Sequence, residues 1–458
     1  MLPAYQKGVQ SLEETPAEAE FRRTNNFSEV ESSLDSVCSY LHRRRSQTPS
    51  PTPSPRAETP PSSYSQSKLS EGLIHLRKKL PSAAGHIVDN VGSYFGRANP
   101  LAQAARPSKD SVWLFDNIAY RPIHPYPHSQ QPWHAVFVAG FFSRDSGKDA
   151  GEVVAWIADK VGLHAMDMDD EEGKRRIAER VAPFLTQLKP GRFLDVVLEA
   201  PGRDPHQRLG PGGRSAVTED VVGPLYDFHD GHVAAVKAVR EELTPHGPML
   251  TYFTGPQGWT VISDIDDTIK ITMTASPIGI LRSTFVDTPE TTKNMPAWYA
   301  HIQKTLNANF FYLSASPYNL YPFLRPFIHA NYPHGPILLR DASWITPSGL
   351  LQTLTQGVQA YKASRMDKIH EWLPMRKVVC VGDSTQSDPE AYAEMYSKYP
   401  GWIKHIFIRK VLGLNGMEEK NDAKRFTDAF KNVPAGTWTV FEDPADLHVI
   451  IDGLKDLK

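Results

Sequence analysis

From about Gly255 onward, short apolar runs alternate with helical stretches, and this alternation constrains the fold more than any other feature of the chain. The runs are TVISDIDD, NFFYLSAS, PILLRD, KVVCVGDS, IKHIFIRKV and TWTVFED, and the helical stretches between them include NLYPFLRPFIHA, YKASRMDKIHEW and DPEAYAEMYSKY. Short apolar runs joined by helices predict a parallel sheet covered on both faces. In an open sheet of that kind ligands bind beyond the carboxyl ends of the strands, so the chemistry is to be sought where each run stops.

The preceding 140 residues have a different texture. LFDNIAYRP, HAVFVAGFF and RFLDVVLEA are rich in β-branched and aromatic residues and bounded by Pro, Gly or charge, which predicts strands. One helical stretch, roughly 175–188, interrupts them. Residues 111–250 are therefore expected to form a β-rich, sandwich-like domain, with no catalytic constellation of its own.

The first 110 residues are expected to be largely disordered. Fifteen of the twenty residues at 46–65 are Ser, Thr or Pro, too little apolar surface to offset the entropy of ordering. Thr48, Ser50, Thr52, Ser54 and Thr59 each precede a proline, which makes them candidates for proline-directed phosphorylation; an unmodified linker fits the same residues. Residues 1–35 carry a net charge of −4 and residues 36–109 a net of +8. Beside that basic segment, Ala84, Ile87, Val88, Val91, Tyr94 and Phe95 recur at helical spacing, an amphipathic helix over 82–95. Such a helix could lie on an anionic bilayer or pack on the folded body.

Composition excludes several classes. A formal net charge of −2 is not that of a generally basic nucleic-acid binder. With Cys38 and Cys380 as the only cysteines, a disulfide scaffold and a cysteine zinc site are both excluded, and a reducing compartment fits. The histidines show no HExxH spacing. The apolar stretch 135–142 is too short to span a bilayer. A soluble cytoplasmic protein is expected.

Three strand ends carry groups suited to one task. TVISDIDD carries Asp264, Asp266 and Asp267 and is followed by Thr268; period-two alternation would aim Asp264 and Asp266 into the same site. Two adjacent carboxylates repel unless a divalent cation neutralises them, and with one present they suit a nucleophile and a general acid/base. FFYLSASP places Ser314 at a strand end, as a hydrogen-bond donor to a phosphoryl oxygen or a helix cap. KVVCVGDSTQSDPE places Asp383 at the rim of the sheet, with Asp388 either capping a helix ahead of Pro389 or supporting the site. Lys362 and Lys368, on the helix before that strand, are the candidate cations, although a solvated helix lysine is the default for either.

The order DxDxT, then Ser, then Lys, then GD with a further Asp is similar to that of the haloacid dehalogenase-like phosphohydrolases. SDIDDT, SASPYNLYPFLRPF, GPILLRD and GDSTQSDPEAY more narrowly resemble the fungal actin-patch phosphatidate phosphatase family, over roughly residues 255–455. LFDNIAYRP resembles the same proteins less diagnostically. Thr385 stands where that family pattern has glycine, altering the turn without removing a functional group.

This resemblance implies a Rossmann-like catalytic domain that hydrolyses phosphatidate to diacylglycerol and phosphate. It implies Asp264 as nucleophile, Asp266 as acid and then base, Ser314 as phosphoryl ligand, and Thr268 as support. Mg²⁺ would be held by Asp264, Asp383 and the backbone carbonyl of Asp266, with Asp388 supporting. Lys362 is favoured over Lys368 because it lies twelve residues before Pro374, the family's usual gap. The implied partners are a phospholipid membrane surface and endocytic actin-patch proteins, with no nucleic acid, and the implied location is peripheral to the membrane, at cortical actin patches. The alternatives are a phosphatase for another phosphomonoester and an actin-patch adaptor.

Overall fold

The structure is a computed structural model that describes residues 102–123, 131–144, 150–162, 171–200, 205–211, 217–340 and 356–457. The Ser/Pro-rich segment and the amphipathic helix expected over 82–95 lie outside the described residues. Residues 102–110, expected to belong to the disordered region, instead join the folded body. Gln103–Ala104 (β1) pairs with the strand at 192–198, and Ala105 and Asp110 are buried.

The β-rich part begins with Asp110–Phe115 (β2), Asn117–Tyr120 (β3) and Trp133–Ser143 (β4). Two helices follow, Ala150–Lys160 (α1) and Glu171–Leu185 (α2). Then come Arg192–Leu198 (β5), His206–Leu209 (β6), Val217–Leu225 (β7), Val233–Ala238 (β8) and Met249–Phe253 (β9). All nine strands are hydrogen-bonded into one sheet, ordered β1-β5-β8-β9-β3-β4-β2, with β6 on β5 and β7 on β4. Alternate residues such as Ala135, Phe137, Ala139 and Phe141 of β4 meet Val196 of β5 and Val236 of β8 in one core. The β-rich character expected for 111–250 is present. The helix at 171–185 lies close to its expected place, whereas α1 had no clear sequence signal.

The second sheet is wholly parallel. Its strands are Trp259–Asp264 (β10), Asn309–Pro317 (β11), Ile337–Arg340 (β12), Lys377–Asp383 (β13), Ile403–Arg409 (β14) and Trp438–Phe441 (β15), in the order β12-β11-β10-β13-β14-β15. Four lie within the apolar runs, and β10 and β11 each overstep theirs by one residue, at Trp259 and Pro317. Met295–Leu306 (α3), Tyr321–Asn331 (α4), Val358–Trp372 (α5), Asp388–Lys398 (α6) and His448–Leu454 (α7) cover it. Val261, Phe310, Val379 and Phe407 pack on one side with Trp298, Tyr321 and Ile451. Ile262, Phe311, Cys380 and Ile406 pack on the other with Met366, Ile369 and Tyr392. Both faces are buried, which is why the strands read as continuous apolar runs. The chain steps from β10 outward to β12, then returns to the other side of β10 with β13, leaving a crevice at the carboxyl ends of β10 and β13.

The two sheets share a core. Trp113, Phe115 and Phe142 of the β-rich part, with Val153 and Ile157 of α1 and Ile177, Val181 and Phe184 of α2, belong to the same apolar cluster as Tyr318, Tyr321 and Phe285. Asp116, which splits the run LFDNIAYRP into two strands, anchors the seam. Its backbone N–H donates to Tyr321 Oη at 2.7 Å, and its carboxylate accepts from Leu250 N at 2.7 Å and Arg325 Nε at 2.8 Å.

Losing one partner of a buried pair leaves the other charge uncompensated. Asp116→Ala is therefore expected to lower the free energy of unfolding by about 3–5 kcal/mol, read by urea unfolding followed through tryptophan fluorescence.

Candidate active site

β10 stops at Asp264, not at Asp266, so strand alternation does not continue to the second carboxylate. The chain turns at Asp267, whose φ of +59° is left-handed, a conformation that non-glycine residues adopt only when their surroundings hold it. Here the surroundings are specific. The Asp267 carboxylate accepts from Thr272 N at 2.9 Å, Met273 N at 2.7 Å, Thr274 N at 2.7 Å and Thr274 Oγ1 at 2.6 Å. Arg409 donates to its carbonyl at 2.6 Å. Asp267 is thus the knot of the loop that carries Asp266 and Thr268.

Asp264 lies at the bottom of the crevice, fully buried. Thr268 Oγ1 donates to Asp264 Oδ2 at 3.0 Å and lies 3.2 Å from Asp383 Oδ2, so the threonine ties the ends of β10 and β13 together. Lys362, on the sheet-facing side of α5, brings Nζ to 2.7 Å from Asp264 Oδ1 and also pairs closely with Asp388. Asp388 Oδ2 accepts the backbone N–H of Asp383 at 3.0 Å. Ser387, not Asp388, holds the cap position of α6, so the Asp388 side chain is turned into the site. Gly382 makes this possible: a Cβ there would lie 2.3 Å from Asp388 Oδ2. Lys368 is not in the site; it pairs with Glu219 of β7.

Asp264, Asp383 and Asp388 offer oxygens within 4.8 Å of one another, the one such group of acidic or metal-ligating side chains among the described residues. Asp266 stands apart from them. Its Oδ2 accepts from Ser314 Oγ at 2.6 Å and Ser316 Oγ at 2.9 Å, and its Oδ1 from Thr272 Oγ1 at 2.9 Å. Ser314 lies within β11, three residues before the strand stops at Pro317 and not at the strand end expected, with its hydroxyl on Asp266. Ser316, Thr272 and Lys270 were not anticipated from sequence. Thr385, expected to alter the turn without removing a functional group, donates its N–H to Asp383 Oδ1 at 2.6 Å, and its hydroxyl also reaches that oxygen.

Burial dominates the electrostatics. It raises the Asp264 carboxyl well above the ordinary range; Lys362 opposes this, while Asp388, Asp383 and Asp266 add to it. Burial, then Asp388 and Asp267, push Asp383 up to about 7, with Lys362 and Thr385 opposing. Burial would lower Lys362, but Asp264, Asp388 and Asp383 more than offset it and hold the ammonium charged. One lysine against three carboxylates leaves the site short of positive charge. An all-carboxylate donor set without imidazole or thiolate suits a hard divalent cation.

A carboxyl raised in the folded state binds its proton more tightly there, so its stabilisation is full below the unfolded value, 3.8, and is lost as pH rises through about 7. In EDTA, the stability of the wild-type chain relative to Asp383→Asn is expected to fall between about pH 4 and pH 7, measured by urea unfolding at each pH.

The same segment is matched by known proteins. Residues 259–410, which contain every site residue above, match the family described as phosphatidate phosphatase APP1, catalytic domain. Over 160 residues the chain is 32% identical to phosphatidate phosphatase APP1 of Saccharomyces cerevisiae, covering 34% of this chain and 27% of that protein. It is 33% identical over 160 residues to an uncharacterised protein of Schizosaccharomyces pombe, covering 34% of this chain and 26% of the relative. The chain thus spans about a quarter of the length of the curated relatives it matches. The segment similar to these proteins, residues 259–410, contains the whole buried carboxylate site, and the family model it matches is that of the phosphatidate phosphatase APP1 catalytic domain.

Proposed function

We propose that this chain is a Mg²⁺-dependent phosphatidate phosphatase of the haloacid dehalogenase-like, Rossmann-like class, releasing diacylglycerol and phosphate. The observation that carries the reading is the union of Asp264, Asp383, Asp388 and Lys362 in one buried cluster at the carboxyl ends of β10 and β13, within the family-matched segment. The division into a β-rich domain over 111–250 and a catalytic domain over 255–455 belongs to the same proposal.

Asp264, Asp383 and Asp388 would hold the ion, with the backbone carbonyl of Asp266; the Asp266 carboxylate is taken up by three hydroxyls. When bound, Mg²⁺ supplies the positive charge that the carboxylates and a phosphoryl group together require. An oxygen of Asp264 attacks the phosphorus, forming an aspartyl-phosphate. The bond from phosphorus to the glycerol oxygen breaks, and its electron pair leaves with that oxygen. Asp266 gives the departing oxygen its proton, then takes a proton from water as the water attacks the same phosphorus. The second step frees inorganic phosphate and regenerates Asp264. Lys362 holds Asp264 against rotation, and Ser314 is placed to turn from Asp266 to a phosphoryl oxygen.

Phosphatidate places the work at a membrane surface, and no helix among the described residues is long and apolar enough to cross a membrane. Peripheral membrane association follows from the substrate; a cytoplasmic location rests on the scarcity of cysteine, and association with cortical actin-patch proteins on the family resemblance alone.

Phosphate release from phosphatidate in mixed micelles is expected to require both Mg²⁺ and Asp264, with Asp264→Ala reducing it by at least about a thousandfold. Hydrolysis of an aryl phosphate alone, still dependent on Asp264, would retain the site and remove the lipid. A folded chain without activity on either ester would favour the adaptor.

A further inference from the structure

Lys270 is a buried lysine that the reaction scheme above does not use. It is 2% exposed. Its ammonium makes two polar contacts, to the Ile271 carbonyl at 3.3 Å and to Thr272 Oγ1 at 3.2 Å, and it lies 5.6 Å from the centre of the Phe323 ring. No carboxylate pairs with it directly among the described residues. Burying an ammonium without an ion-pair partner is unfavourable, and an apolar side chain of similar length would fill the same space at less expense. Packing alone does not explain this residue.

The hydrogen-bond inventory does. A threonine hydroxyl has one hydrogen and two lone pairs, and an ammonium only donates. With Lys270 Nζ occupying a lone pair of Thr272 Oγ1, the hydroxyl hydrogen is left to donate. Its nearer acceptor is Asp266 Oδ1 at 2.9 Å; the alternative, the Lys270 carbonyl, is 3.4 Å away. The Thr272 backbone is pinned separately, by its N–H on Asp267 Oδ1. On the opposite oxygen, Ser316 keeps a 2.9 Å bond when Ser314 turns away to a phosphoryl group. The carboxylate of Asp266 is then held at both oxygens.

We propose that Lys270 and Thr272 are positioning residues for Asp266, the ammonium orienting the Thr272 hydroxyl so that it fixes the carboxylate at the angle proton transfer requires. The inference rests on the reading of Asp266 as the acid of the first step.

The test uses the full chain with Mg²⁺ and compares kcat/KM, which reports the step that breaks the ester bond, on phosphatidate and on 4-nitrophenyl phosphate. The alkoxide of phosphatidate needs a proton to leave, whereas nitrophenolate does not. Thr272→Val and Lys270→Met are each expected to lower kcat/KM on phosphatidate by about tenfold to a hundredfold, and to change that for the nitrophenyl ester by less than about threefold. Thr272→Ser, which keeps the hydroxyl, is expected to stay near wild type on phosphatidate. Thr272→Val as active as wild type on phosphatidate overturns the proposal, as do equal losses on both esters from a variant that unfolds at the wild-type temperature. If wild type hydrolyses neither ester, the proposal falls together with the reading of the site, and the wild-type measurement identifies that case before any variant is compared.

Discussion

The ammonium of Lys362, sealed between Asp264 and Asp388, is the interaction on which the parallel-sheet half is arranged. Three carboxylates cannot be buried together without a counter-charge, and each element of the site serves to bring that charge to them. The face of α5 that buries Tyr361, Met366 and Ile369 also buries Lys362 and aims it at the end of β10. Gly382 leaves the space that Asp388 enters, and Ser387 takes the cap position so that Asp388 need not. Thr268 then joins Asp264 to Asp383 across the crevice. The positive charge still lacking is the ground on which we propose the cluster as a cation site.

The parallel sheet was legible because strands buried on both faces must be apolar along their whole length, and the six runs are. The principal acids were legible for the same reason: a charged residue that ends such a run stands at the sheet's rim. What escaped reading depends on distances that sequence does not contain. Asp266 was expected to share the site by strand alternation, but β10 ends two residues earlier and the Asp266 carboxylate is taken up by Ser314, Ser316 and Thr272, apart from the Asp264 cluster. Ser316, Thr272 and Lys270 are ordinary residues until three hydroxyls converge on one carboxylate. Asp388 before Pro389 reads equally as a cap and as a site residue, and only the missing Cβ of Gly382 decides between them.

The β-rich part is less separate than its sequence texture indicates. Arg180 of α2 donates to the carbonyls of Thr284 and Asp287, and Arg176 to that of Val286, so α2 grips the segment that follows the Asp267 loop. Arg180 also stacks on Phe323, the ring beside Lys270. Asn319, just beyond Ser316, donates to the Pro183 carbonyl at 2.9 Å. α2 thereby buttresses two of the loops that line the site, which ties the β-rich part to the proposed chemistry.

On the proposed reading, the buried carboxylates need a divalent cation. Calorimetric titration of Mg²⁺ into metal-free protein tests it without any substrate. One site per chain is expected, with the heat lost in Asp383→Asn. No binding, or binding that survives that substitution unchanged, would contradict it.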